Sequence, residues 1–160
     1  MTAADDRLSA LGLTLPEPAA PAASYVPWRE VGDLLLTSGQ LPLRDGSLVA
    51  TGRLGDDVDL ETGQEAARHC GLNVLAQLRA ALGDLDRVAA VVKTTVFVAA
   101  TPDFTDAHLV ANGCSDLLVE VLEERGRHAR SAVAVAALPL GAPVEVEALV
   151  QVRGADVPAT

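Results

Sequence analysis

The spacing of hydrophobic residues predicts two long helices. From residue 60 to residue 82, small and apolar side chains recur every three or four positions, which is typical of a helix that packs one face against a sheet. Asp59 is suited to cap its first turn, and Gly83 supplies a C-terminal stop. The same periodicity predicts a second helix from residue 102 to about residue 124.

Runs of small and β-branched residues predict the strands. Residues 25–31 and 33–38 form a first predicted hairpin, and residues 87–99 form a long strand with apolar side chains on both faces. Two further runs, at 132–138 and 144–152, flank a break rich in proline and glycine. Such a break between two strands predicts a second hairpin.

The remaining segments add little regular structure. Residues 5–11 predict a short N-terminal helix, which a proline-rich surface linker follows, and residues 48–51 predict a short strand in a glycine-rich loop. The order ββ(β)αβαββ predicts an α+β fold, with a single mixed β-sheet and two long helices on one face. The other sheet face lacks a cover within the chain, so we expect a homo-oligomer.

Charged residues on the last two predicted strands provide candidate chemistry. Glu145 and Glu147 share one face, because side chains alternate along a strand. Arg130 opens the preceding strand, so the hairpin could bring its guanidinium near these carboxylates, and an arginine fork suits carboxylate recognition. From spacing alone, a solvated strand end at Arg130 and the wet face of an edge strand at the two glutamates are favoured over this role.

Composition narrows the function classes. The formal net charge is -10, which disfavours binding to a nucleic acid backbone, and only 2% of residues are aromatic, which leaves few side chains to stack on bases. Cys70 and Cys114 lie on separate predicted helices without a metal-binding spacing, as expected of reduced structural thiols. The sequence shows no signal peptide and no membrane-spanning run, so we expect a soluble, cytoplasmic protein without membrane partners.

Three stretches of the sequence are similar to one known family. They are LLLTSGQLPL at 34–43, VVKTTVFV at 91–98, and ARSAVAVAALPLGAPVEVEA from Ala129 onward. In this order they resemble the RidA (YjgF) family of reactive-intermediate imine deaminases. The resemblance covers roughly residues 20–153, and it leaves residues 1–19 as an N-terminal extension and residues 154–160 as a C-terminal tail.

The resemblance implies an architecture and a set of site residues. Members of this family resemble chorismate mutase of the trimeric barrel type, with ligand clefts between adjacent subunits. By this resemblance Arg130 binds the carboxylate of a small imino or oxo acid, and Glu145 holds the attacking water. The implied substrate-binding residues are Tyr25, Ser38, Gly39, Asn112 and Ala132. No metal and no organic cofactor is required.

Several points stay open at this stage. The backbone N–H groups of Ser38 and Gly39 are either ligand donors or part of a strand-terminating turn. Ala132 and His128 stand where the family often has cysteine and proline, which indicates a divergent branch. His128 is either a ligand donor or a packed or exposed loop residue. The function is therefore a deaminase of 2-imino acids, a non-catalytic 2-oxo acid binding protein or, less favoured by the acidic charge, an endoribonuclease.

Overall fold

The computed structural model describes residues 2–21 and 23–154, so residues 155–160 of the predicted tail lie outside the described residues. Within these ranges the helices are α1 (Ala3–Ala10), α2 (Leu60–Leu82), α3 (Ala107–Val110) and α4 (Asn112–Leu122). The strands are β1 (Trp28–Val31), β2 (Leu34–Thr37), β3 (Leu43–Arg44), β4 (Ser47–Leu48), β5 (Val88–Ala99), β6 (Ala129–Val135) and β7 (Val144–Val152).

One mixed sheet and one helical layer form the fold. The sheet has the strand order β1-β2-β7-β5-β6, and all neighbours are antiparallel except β5 and β6. The two long helices α2 and α4 pack on each other, and α2 also packs on β7. The predicted α+β class, with a single mixed sheet and two long helices on one face, is confirmed.

The predicted hairpin between the last two strands is wrong, because β5 lies between them. Thr94, in the middle of β5, pairs with Arg130 of β6 on one side and with Ala148 of β7 on the other. The chain leaves β6 beside Ala99 and enters β7 beside Val98, so the connection passes around the end of β5. Inserting the longest strand, β5, between β6 and β7 pairs its backbone groups on both edges. β6 is consequently an edge strand.

The faces of β5 also differ from the simple alternation expected from sequence. Alternation places Val91 on the face of Lys93 and Val92 on the face of Thr94. In the structure Val91 is 2% exposed on the helix-covered side and Val92 is 40% exposed. A register shift in the pairing with β7 lies between Val91 and Lys93, and such a bulge reverses the side-chain order locally.

The ends of α2 and the first hairpin follow the sequence signals. The Asp59 carboxylate accepts from the N–H of Thr62, and Gly83 adopts a left-handed conformation with φ of 76°. Gly32 turns the first hairpin with φ of 63°. The first strand is shorter than predicted, since β1 begins at Trp28. The predicted short strand at 48–51 is instead the small β3–β4 hairpin.

The second helix starts later than predicted and is broken. After β5 the chain stays bound to the preceding loop, because the N–H of Thr101 donates to the carbonyl of Leu54, and a turn closes between Phe104 and Thr101. Residues 102–106 are therefore not free to be helical.

Gly113 permits α4 to approach α2 closely, since a Cβ at Gly113 would lie 1.9 Å from the carbonyl oxygen of Gln64.

The N-terminal segment packs on the helical layer. α1 buries Ala4 and Leu8 in the hydrophobic core, and an ion pair joins Asp5 to Arg79 of α2. Leu13 and Leu15 of the linker also pack partly against the core, so the linker does not lie wholly on the surface. The division of the chain at residues 19 and 153 stays a prediction.

The second face of the sheet is only partly covered. It carries Glu145 and Glu147, which share this face as predicted, together with Thr95 and Phe97 opposite them. On the same side of the edge strand, Val133 is 43% exposed. Among the described helices, none combines the length and the apolar character needed to cross a membrane.

Candidate functional site

Arg130 is held by the helical layer. Its Nη1 donates to Oδ1 of Asn112 and to Oγ of Ser115, both at 3.0 Å, and its Nη2 donates to the carbonyl of His108 at 2.9 Å. Asn112 and Ser115 are three residues apart on α4, so one face of this helix presents both acceptors. The guanidinium therefore has a fixed place between α3, α4 and β6.

Two donors of this guanidinium remain available. A guanidinium has five N–H groups, and three of those on Arg130 bond to its own chain. Among the described residues, no acceptor meets the Nε group or the second hydrogen of Nη2. Nε and Nη2 form one edge of the guanidinium, and such an edge binds a carboxylate through two parallel hydrogen bonds.

His128 extends this cluster. Its Nε2 lies 3.0 Å from Oγ of Ser115, and its Nδ1 lies 2.6 Å from the carbonyl oxygen of Gly126. Burial lowers the pKa of His128, and the charge of Arg130 acts in the same direction, although the contact with Gly126 opposes them. A pocket of about 270 Å³ opens here, lined by Ser115, Val119, Arg127, His128 and Arg130. A larger cavity of about 630 Å³, between α1 and α2, contacts none of these residues.

Glu145 lies on the other face of the sheet, beside Gly39. A Cβ at Gly39 would lie 1.9 Å from Oε1 of Glu145, so only glycine leaves room for this carboxylate. Burial raises the pKa of Glu145, and the negative charge of Glu147 raises it further. A carboxylate with a raised pKa accepts a proton more readily near neutral pH.

The segment around Gly39 is a bulge between β2 and β7. Leu36 pairs with Leu149, so an unbroken register would place residue 39 opposite Val146, yet Gln40 forms that bridge. One extra residue is accommodated, and bulges of this kind re-aim side chains near functional sites. The N–H of Gly39 meets no acceptor among the described residues.

The predicted donor pair of Ser38 and Gly39 is therefore reduced to Gly39. The N–H of Ser38 is not free, because it donates to the carbonyl of Pro27 at 2.9 Å. The hydroxyl of Ser38 donates to the carbonyl of Val26 at 2.7 Å. These two bonds hold the chain that carries the half-exposed Tyr25 against the bulge.

The structure does not bring Arg130 and Glu145 together within one chain, contrary to the proximity that the hairpin implied. Arg130 pairs with Thr94, and Glu145 pairs with Phe97, so the two residues are separated by β5 and by three positions along it. This offset corresponds to about 10 Å across the sheet and about 10 Å along it. Moreover, Arg130 points to the helices and Glu145 to the open face.

Comparison with known proteins decides the family. A family model described as "YjgF/chorismate mutase-like, putative endoribonuclease" matches residues 5–151. Protein TCP17 of Trypanosoma cruzi is 54% identical over 147 residues, which are 91% of this chain and 92% of that protein. The chain belongs to the YjgF family.

Two solved structures place the chain within the YjgF family. Atu1372 of Agrobacterium tumefaciens, a protein of unknown function, superposes with a TM-score of 0.89 at 48% identity, covering 94% of this chain and 92% of that one. TdcF of E. coli with bound serine superposes with a TM-score of 0.63 at 28% identity, covering 88% and 96%. The lower score against TdcF agrees with a divergent branch.

In this YjgF-family chain the predicted site residues fall into two groups. The arginine group comprises Arg130, Asn112 and Ala132; Ala132 lies two residues along β6 on the same side as Arg130 and packs partly against the core. The glutamate group comprises Glu145, Gly39, Ser38 and the segment of Tyr25. Each group is assembled within one chain, and the two groups lie on opposite sides of the sheet.

Sequence reasoning missed several residues that hold these groups. Ser115 and the carbonyl of His108 both fix Arg130, and the i, i+3 spacing of Asn112 and Ser115 was the available signal for the former. Gln77 of α2 donates to Oε1 of Gln40, whose amide donates to the carbonyls of Ser38 and Gly39. No periodicity signals this last contact, because it joins a buried helix position to a loop.

Metal ligands do not cluster in the described part of the chain. Among residues 2–21 and 23–154, no group of three His, Cys, Asp or Glu side chains is arranged to hold a metal ion. Cys70 and Cys114 are free and buried on α2 and α4, as their sequence context predicts. Burial raises the pKa of both thiols, to about 12 for Cys114, so neither is a reactive thiolate.

Proposed function

We propose that the protein hydrolyses small 2-imino acids, and the enamines that tautomerise to them, to 2-oxo acids and ammonia. The observation that carries this proposal is the state of Arg130: three hydrogen bonds anchor its guanidinium, and an edge with two donors stays available. Such an edge fits the carboxylate that every 2-imino acid carries. The neighbour TdcF, whose structure holds serine, supports a ligand with an amino acid carboxylate.

The chemistry asks little of the protein. The carbon of an imine whose nitrogen is protonated is electrophilic. Water therefore adds to it once the water is oriented and can release a proton. Glu145 accepts that proton and returns it to the nitrogen of the resulting carbinolamine. As the C–N bond breaks, ammonia leaves with the bonding electron pair, the hydroxyl group passes its proton back to Glu145, and the O–H electrons complete the carbonyl of the 2-oxo acid. Glu145 then releases this proton to solvent, where ammonia takes it up as ammonium. The raised pKa of Glu145 suits these proton transfers.

The site is proposed to form between subunits of a homotrimer. One ligand that contacts both Arg130 and Glu145 needs them on the same side of a cleft, whereas one chain presents them on opposite sides of its sheet. A neighbouring copy resolves this difficulty by supplying the second group. The partly exposed second sheet face, with Val133 on its edge strand, supports such an assembly.

Two further observations support a cytoplasmic location and a small acidic ligand. The buried free thiols of Cys70 and Cys114 support a reducing cytoplasm. The net charge of -10 supports a small acid rather than a nucleic acid as the ligand, because the net negative charge opposes the many phosphate contacts that a nucleic acid backbone requires.

The decisive assay follows imine loss directly. An amino acid oxidase generates the 2-imino acid in the presence of semicarbazide, and the protein should lower the yield of semicarbazone from the imine by hydrolysing it first. Arg53→Ala is a matched control, since Arg53 does not line the pocket beside Arg130 and pairs with Asp56 at the surface. Parent protein that binds 2-oxobutanoate without accelerating hydrolysis over buffer would make the chain a binding protein. Light scattering should give about three times the 16.5 kDa chain mass.

A further inference from the structure

The hydrogen bonds around His128 have a defined direction. The carbonyl of Gly126 can only accept, so Nδ1 of His128, 2.6 Å away, must carry the proton. A guanidinium can only donate, so the Ser115 hydroxyl accepts from Arg130. The hydroxyl proton of Ser115 then points to Nε2 of His128, which accepts it as the unprotonated nitrogen of a neutral ring.

We infer that Ser115 and His128 are positioning residues that orient the Arg130 guanidinium through one directional hydrogen-bond chain. The chain runs from Arg130 through the Ser115 hydroxyl and the neutral His128 ring to the Gly126 carbonyl. It occupies one Nη1 hydrogen, Asn112 occupies the other, and the His108 carbonyl occupies one Nη2 hydrogen. The Nε group and the second Nη2 hydrogen are left for a ligand. The role of these donors in carboxylate binding rests on the proposed function, whereas the hydrogen-bond chain itself does not.

A protonated His128 would reverse the chain. Nε2 would then donate to Ser115, whose oxygen already accepts from Arg130, and the serine proton would lose its acceptor. The imidazolium would also lie beside the guanidinium without a carboxylate between them. Both effects favour the neutral ring, which agrees with the lowered pKa of His128.

The tautomer gives a test that needs no substrate. With histidine labelled in the ring nitrogens, NMR at pH 7 should show a protonated Nδ1 and an unprotonated Nε2 at His128. The Ser115→Ala variant should shift the Nε2 resonance, because it removes the donor to that nitrogen. A protonated Nε2 in the parent, or an Nε2 resonance indifferent to Ser115→Ala, would overturn the chain.

Ligand binding tests what the chain does for Arg130. Ser115→Ala and His128→Ala should each weaken binding of 2-oxobutanoate about 3- to 10-fold, the loss expected for one hydrogen bond. The double variant should be weaker than the poorer single variant by no more than about 2-fold, because both changes break the same chain. His128→Gln should rescue binding, since its amide oxygen can accept from Ser115.

A control variant accompanies these measurements, and failure of the positioning role can be distinguished from failure of the proposed function. His69→Gln changes another histidine, whose only ring hydrogen-bond and ion-pair partner among the described residues is Glu65 of its own helix, and it should bind as the parent does. Additive losses, or no rescue by His128→Gln in a folded protein, would contradict the positioning role. If the parent protein binds no 2-oxo acid, the proposed function is contradicted. The NMR experiment would still test the hydrogen-bond chain.

Discussion

The arginine group and the glutamate group differ in how complete each is within one chain. Arg130 is anchored by three hydrogen bonds before any ligand arrives. Glu145 is half-buried over Gly39, and among the described residues no donor bonds its carboxylate. One group is therefore preorganised to bind an anion, and the other keeps a carboxylate ready for a water molecule or for a neighbouring copy. Changing either group should affect a different step.

The largest effect is expected from the preorganised group. Arg130→Ala should weaken binding of 2-oxobutanoate about 30- to 1,000-fold, because a charge-assisted pair in a partly desolvated cleft contributes about 2 to 4 kcal/mol. Arg130→Lys should recover little, since an ammonium lacks the two-pronged edge. Calorimetric titration measures both. Binding that either variant leaves unchanged would place the ligand elsewhere.

The glutamate group should affect turnover rather than binding. Glu145→Gln keeps the shape of the side chain but removes the proton acceptor, so hydrolysis should fall about 10- to 1,000-fold while 2-oxobutanoate still binds. Glu147→Gln is the matched control on the same strand face. If Glu147→Gln is inactive and Glu145→Gln is not, the catalytic carboxylate has been assigned to the wrong position.

The close approach at Gly39 gives a smaller effect through the same carboxylate. Gly39→Ala should displace Glu145, because the new methyl group would occupy the position of its Oε1, and turnover should fall about 10-fold. Gly154→Ala is the control, since a Cβ there meets nothing within 4 Å. Imine hydrolysis measures both variants, and equal rates would show that the position of Glu145 over Gly39 is unimportant.

The smallest effect concerns stability against pH. The folded-state pKa of His128 lies below its ordinary value of 6.5, so the unfolded chain binds more protons as the pH falls through this range. The stability that depends on a neutral His128 is complete above pH 6.5 and is lost progressively below it. Denaturant unfolding measures the free energy of unfolding of the parent and of His128→Gln between pH 5 and pH 8. This free energy should fall less steeply with decreasing pH in the variant. Identical slopes would contradict this linkage.

The two groups also differ in how far the sequence predicts them. The residues of both groups were found through resemblance, and the boundaries of α2 followed from periodicity and caps alone. Strand adjacency was not predictable in the same way, because pairing of β5 with both β6 and β7 depends on contacts distant along the chain. The residues that hold each group in place are not predictable for a related reason. Ser115 and Gln77 act through side chains that contact their partners only after the helices pack.

Mixing two inactive variants tests most directly whether the arginine group and the glutamate group of one site come from different copies. Arg130→Ala and Glu145→Gln chains are unfolded together, refolded at equal amounts and assayed for imine hydrolysis against each variant alone. In a cyclic trimer with one site per interface, about one quarter of the sites should combine an intact Arg130 with an intact Glu145, and activity should reappear to about that fraction of the parent. Mixed oligomers, verified by mass, that stay as inactive as the separate variants would contradict a site shared between copies.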